Sequence, residues 1–130
     1  METFEDIFKS LGDENRLRII ALFVRTRQAL CVCEVVDALN LPQYRISRHV
    51  RHLKEAGLLK VNKRGAWSYY YLNEVQGFRK QLFDFLEKFL VSEQLDGDEL
   101  AINARLAYRE KGRCVVGSVP FSRISRQKES

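Results

Sequence analysis

The stretch LCVCEVVDALNLPQYRISRHVRHLKEAGLL, residues 30 to 59, decides how this chain folds. It reads as two helices joined by a tight turn, with a Cys-Val-Cys pair where the first begins. The second helix is expected from about Pro42 to Ala56. Ile46, Val50 and Leu53 fall at i, i+4 and i+7 and make one apolar stripe. On a helix of about 3.6 residues per turn, Tyr44, Ser47, Arg48 and Arg51 take the opposite face. Pro42 suits the first helical position, having no N–H to leave unpaired, and Gly57 suits the left-handed residue after the last turn. A short helix, a Leu-Pro turn and a cationic second helix form a helix-turn-helix pattern. Its second helix would enter the DNA major groove and read bases with its N-terminal residues.

Working outward, LLKVNKRGAWSYYYL (residues 58 to 72) reads as a β-hairpin. Val61, Trp67, Tyr69 and Tyr71 alternate with more polar positions, and Lys63-Arg64-Gly65 supplies the turn. From Pro42 to Tyr71 there are seven Lys or Arg and one acid, Glu55, a local charge of +6 in a chain whose total is +5. A basic stripe gathered on one motif is the electrostatic footprint of nucleic-acid binding. The expected DNA-facing residues are Gln43, Tyr44, Arg45, Ser47, Arg48 and Arg51, with Lys63 and Arg64 on phosphates.

The flanking segments are helical. Thr3 can cap a first helix with Phe4, Ile7, Phe8 and Leu11 on one side. Asp13 caps a second that runs to about Thr26, with Leu17, Ile20, Ala21 and Val24 facing the core. Asn73 is expected to open a long helix to about Val91. Its Phe78, Leu82, Phe85, Leu86 and Phe89 carry more aromatic area than a small core covers, so this helix, with Phe4 and Phe8, reads as a dimer interface. A last helix is expected from about Asp98 to Lys111, with Leu100, Ala101, Ala104, Ala107 and Tyr108 as its apolar side. Residues 1–112 then form one winged helix-turn-helix domain, mainly α with a β-hairpin wing and homodimeric. Residues 113–130 form a basic tail that carries Cys114 and is expected to be mobile at its end.

A chain of 130 residues is long enough for one domain with a real core. No apolar run approaches the ~20 residues of a membrane span and the N-terminus is unlike a signal peptide, so a cytoplasmic protein without a membrane partner is expected. There is no P-loop, GxGxxG or HExxH, and no cysteine has an Arg six positions later, which argues against an enzyme or an organic cofactor. In a reducing compartment three cysteines point to ligation, redox sensing or plain packing. His49 and His52 lie in the DNA-reading helix and suit packing or DNA contact better than metal.

The pieces LGDENRLRIIALF (11 to 23), LCVCEVVDAL (30 to 39), ISRHVRHLKEAGLL (46 to 59) and RGAWSYYYL (64 to 72) resemble the ArsR/SmtB family of metal-responsive winged-helix repressors. They cover about half the chain, and the LCVC box resembles the family's arsenic- and cadmium/lead-sensing branches. The resemblance implies a homodimer that represses at double-stranded operator DNA and lets go when an inducer binds. It also implies that the first helix and the long helix after the hairpin make the dimer contact.

The inducer site would be built on Cys31 and Cys33, because soft thiolates select thiophilic ions and a helix N-terminus favours the thiolate. Residues i and i+2 of a regular helix do not face each other, so joint ligation would require a distorted first turn. The alternative is that both are buried small hydrophobes. The chain departs from the family pattern in two places. Val36 stands where the arsenic branch often has a third cysteine, and residues 1–30 lack the N-terminal cysteines of the cadmium/lead branch. Either Cys114 supplies the third sulfur, its thiolate favoured by Lys111 and Arg113, or the inducer brings an organic group. The expected protein releases its operator when trivalent arsenic or antimony binds Cys31, Cys33 and Cys114. Cadmium or lead sensing and thiol-redox regulation are the alternatives.

Overall fold

The computed structural model describes residues 4–74, 77–115 and 117. The order is α1 (Phe4–Leu11), α2 (Glu14–Thr26), β1 (Leu30–Cys31), α3 (Val32–Leu39), α4 (Gln43–Glu55), β2 (Leu59–Arg64), β3 (Trp67–Leu72), α5 (Phe78–Phe89) and α6 (Glu93–Leu106). This is a winged helix-turn-helix, in which α3 and α4 make the helix pair and β2–β3 the wing. No helix among the described residues is long and apolar enough to cross a membrane. The proposed Thr3 cap and residues 118–130 of the tail lie outside the described residues.

Helix α2 is the hub. Asp13 caps it by accepting the Arg16 N–H at 3.0 Å, and Ile19 through Val24 are all buried, a wider surface than the expected stripe. Only a helix surrounded by others buries all its sides, and α1, α4, α5 and α6 all contact it. The stripe Ile46, Val50 and Leu53 of α4 enters the same core as expected. Pro42 is the N-cap rather than the first helical residue, because its ψ of 143° is extended. Gly57 takes the left-handed φ of 86° that lets the chain leave α4 for the wing.

The sheet contains a strand that the sequence reading assigned to a helix. Leu30 and Cys31 pair antiparallel with Tyr70 and Tyr69, so the order is β1-β3-β2. Alternation along β3 therefore serves two faces. Tyr70 and Leu72 lie opposite Val61 and Leu59 over the main core, while Trp67 and Tyr69 look outward beside Cys31. Lys63 and Arg64 belong to β2, and the turn is Gly65-Ala66.

The last two helices depart most from expectation. Asn73 opens no helix: its side-chain amide donates to the Gly57 carbonyl at 2.9 Å and ties the wing's end to α4. Helix α5 starts after Gly77 and stops before Leu90. Its Phe83 and Leu86 are buried, whereas Phe85 and Phe89 are exposed, as are Phe4 and Phe8 of α1. Of the α1 stripe, only Ile7 and Leu11 are buried in the core. The buried side of α6 is Leu95, Asp98, Ala101, Ile102 and Arg105, and Leu100 is exposed. Two charged residues on that face, each matched by a partner (Asp98 by Arg18, Arg105 by Asp37), disguised it as polar.

Candidate metal centre and nucleic-acid interface

The outer face of the sheet holds a second, small cluster built from Cys31, Tyr69 and Cys114, with Ala29, Cys33 and Trp67 packed against it. Cys31 is the N-cap of α3, with extended backbone (φ −82°, ψ 154°). Being outside the helix, it does not obey the helical rotation that separates i from i+2. Its sulfur and that of Cys33 approach each other with no distorted helical turn, which corrects the expectation drawn from sequence.

Cys114 reaches the pair by a tight reversal after α6. Glu110 and Arg113 exchange two backbone hydrogen bonds of 2.9 Å, with Lys111 and Gly112 both at positive φ (53° and 75°). The Cys114 N–H then donates to the Tyr69 hydroxyl at 2.9 Å, laying this strap on β3. As a result the sulfurs of Cys31, Cys33 and Cys114 all lie within 4.8 Å of one another, and Cys33 and Cys114 are 3.7 Å apart. An ion at their centre would sit within about 2.8 Å of each, close to the ~2.3 Å of a zinc–thiolate bond. One chain supplies all three. Among the described residues this group contains no histidine; His52 is exposed, and His49 is buried against Arg16 at 3.4 Å.

Two buried ion pairs hold the site, and sequence reading missed both. Glu34, wholly buried, accepts the Cys31 N–H at 2.9 Å and both arms of Arg109 at 2.7 Å. Arg109 also donates to the Ala29 carbonyl and lies over the Tyr69 ring. Arg105, also wholly buried, donates to Asp37 at 2.7 Å and points a second nitrogen at the Cys33 sulfur, 3.9 Å away. The available signal was the spacing of Arg105 and Arg109, four residues apart, opposite Glu34 and Asp37, three apart.

These contacts divide the protons unequally. Cys33 is lowered to about 7, first by the hydrogen bond from Cys31, then, against burial, by Cys114 and the charge of Arg105. Cys31 is pushed up, first by that same bond and then by burial and by Glu34. Burial raises Cys114. Lys111 and Arg113, expected to favour its thiolate, are exposed; the nearby cation is Arg105. Of the three sulfurs, Cys33 is thus the one most readily ionised.

The basic surface runs from α4 to the wing, whose Arg64 lines one cleft with Cys114. On α4, Gln43, Tyr44, Arg48 and Arg51 are exposed and Arg45 and Ser47 are half-buried, with Arg48 over the Tyr44 ring at 6.0 Å. Lys63 and Arg64 are exposed on the wing.

Comparisons agree with this architecture. The family model described as "Bacterial regulatory protein, arsR family" matches residues 13–61. The chain is 39% identical over 120 residues to the arsenic resistance transcriptional regulator ArsR2 of Pseudomonas putida, covering 92% of this chain and 98% of that protein. It is 45% identical over 67 residues to the arsenical resistance operon repressor of Escherichia coli, 52% of this chain and 56% of that one. It is also 33% identical over 69 residues to the cadmium resistance transcriptional regulatory protein CadC of Listeria innocua, 53% of this chain and 57% of that one.

Proposed function

Because this chain belongs to the ArsR family of bacterial transcriptional regulators, we propose that it is a cytoplasmic homodimeric repressor which releases its operator when trivalent arsenic or antimony binds Cys31, Cys33 and Cys114. The observation that carries this reading is the convergence of three sulfurs within 4.8 Å of one another. The thiolate of Cys33, the most acidic of the three, makes the first bond by displacing one hydroxide of arsenious or antimonous acid. Cys31 and Cys114 then pass their protons to the two remaining hydroxides, which leave as water while the two sulfurs take their places.

Charge supports a trivalent ion. The buried charges around the sulfurs already cancel, Arg105 against Asp37 and Arg109 against Glu34. Three thiolates around a trivalent ion are neutral, whereas around cadmium or lead they leave one buried negative charge, which is costly. Zinc prefers a fourth ligand.

The route to DNA is short. Cys31 and Cys33 stand at the first turn of α3, which packs on α4, and Cys31 is paired with the wing strand through Tyr69. Drawing the sulfurs together shifts α3 and β3, and with them Gln43, Tyr44, Arg45, Ser47, Arg48 and Arg51 on the groove and Lys63 and Arg64 on phosphates. The exposed Phe4, Phe8, Phe85 and Phe89 supply the dimer surface, setting the two DNA-reading helices on half-sites roughly 34–36 Å apart or a multiple of that. In this reading residues 1–112 are the working domain and the segment from Arg113 onward brings the third ligand.

The test is to challenge the protein–operator complex with arsenite, antimonite, cadmium, lead, zinc and peroxide. Release by arsenite and antimonite at the lowest concentrations is expected. Release by cadmium and lead alone would move the reading to the divalent branch, and release by peroxide alone would make the cysteines a redox sensor.

A further inference from the structure

The strap that delivers Cys114 runs over the outer face of the wing, the face that also carries Arg64. Arg64 lies opposite Trp67, and Tyr69, which accepts the Cys114 N–H, is two residues further along the same strand. Gly117 also lies beside the wing, where an added Cβ would be 3.8 Å from the Trp67 ring. Two clefts result. One, of about 400 Å³, is lined by Arg64, Trp67, Cys114 and Arg113 among others. The other, of about 170 Å³, is lined by Arg64, Tyr71, Arg109 and Arg113 among others. Arg64 and Arg113 flank both, and among the described residues no acid lines either. Arg109 is neutralised by Glu34, but neither Arg64 nor Arg113 is buried. Arg113 is held by the two-bond reversal with Glu110.

We propose that Arg113 is a DNA-phosphate contact and that the strap is a second layer of the wing's DNA surface. Two exposed guanidinium groups beside an acid-free cleft fit the phosphodiester backbone, which takes Arg by charge and by paired N–H donors. The placement also explains why the third sulfur sits in the strap. Arg113 and Cys114 are adjacent, so an ion that captures Cys114 moves a phosphate contact directly, without passing through α3 and α4. The proposal rests on the regulator reading above and adds a contact that the helix-turn-helix pattern does not contain.

The experiment uses the full chain without inducer, binding operator and scrambled duplexes over a salt series. Arg113→Gln should weaken both duplexes by the same factor and flatten the dependence of log affinity on log salt by about 0.9, the loss of one phosphate contact. Arg113→Lys should restore the slope, and Arg64→Gln should reproduce the loss. Arsenite binding by Arg113→Gln, read by sulfur–arsenic absorption, should match the wild type and show that the fold is intact. A wild type that binds DNA and an Arg113→Gln variant that equals it in affinity and slope would overturn this proposal alone. So would a variant with normal DNA binding but slowed arsenic uptake from anionic thiol complexes, which would assign the clefts to the incoming inducer. Failure of the wild type to bind any duplex would bring down the regulator reading as well.

Discussion

Replacing Arg105 by Met tests whether the buried ion pairs, and not the sulfurs alone, build the site. The guanidinium is wholly buried, 2.7 Å from Asp37 and 3.9 Å from the Cys33 sulfur. Met fills most of its volume, so the main loss is electrostatic: Asp37, itself buried, keeps a charge with its cation gone. Breaking a buried pair from one side costs roughly 3–5 kcal/mol, a large part of the 5–15 kcal/mol that holds a typical domain. Adding Asp37→Leu should recover most of that loss, because two well-packed apolar side chains often replace a buried pair at little cost. Urea unfolding at fixed protein concentration measures both. A second readout separates stability from site chemistry: the Cys33 thiolate, now lowered to about 7 with help from Arg105, should titrate at higher pH in the variant. A loss below about 1 kcal/mol for Arg105→Met, with an unmoved thiolate titration, would refute the reasoning.

Other expectations concern DNA, assembly and pH. Arg48→Ala should cost about 1–3 kcal/mol on operator and blur sequence preference, as competition binding against mutated half-sites would show. Phe85→Glu, at an exposed aromatic of α5, should shift sedimentation at micromolar concentration toward monomer and weaken operator binding with it. Arsenite capture should follow Cys33 ionisation. The group is depressed to about 7, so capture is fast above that pH and slows about tenfold per unit below it. Stopped-flow rates that stay level between pH 5.5 and 8 would contradict the assignment of Cys33 as first nucleophile.

The recognition helix was legible because Ile46, Val50 and Leu53 are uncharged, periodic and buried together. Periodicity fails where charges are buried in pairs: the apolar spacing around α6 points to Ala101, Ala104 and Tyr108, which do meet the core, but not to Asp98 and Arg105, which sit inward matched by Arg18 and Asp37 from distant segments. It fails again at Leu30 and Cys31, where two residues of strand are too short to show alternation and pairing with Tyr69 and Tyr70 overrides the helical run that follows. The cysteines could be named from sequence as candidates, but their convergence depends on the reversal at Lys111-Gly112 and on the Tyr69 hydroxyl, neither of which leaves a pattern in the chain. The spacing of Arg105 and Arg109 matches that of Asp37 and Glu34, but nothing local joins the two pairs, which are 68 and 75 residues apart.

The central claim is that three thiolates from one chain capture the inducer and that this capture frees the operator. Titrating arsenite into the protein–operator complex, with sulfur–arsenic absorption and DNA release followed in the same sample, tests it most directly. Saturation at one arsenic per chain with three-sulfur coordination, operator release over the same range, and loss of both in Cys114→Ser is the predicted result. Unchanged arsenite affinity and release in Cys114→Ser would contradict it and leave a site of Cys31 and Cys33 alone.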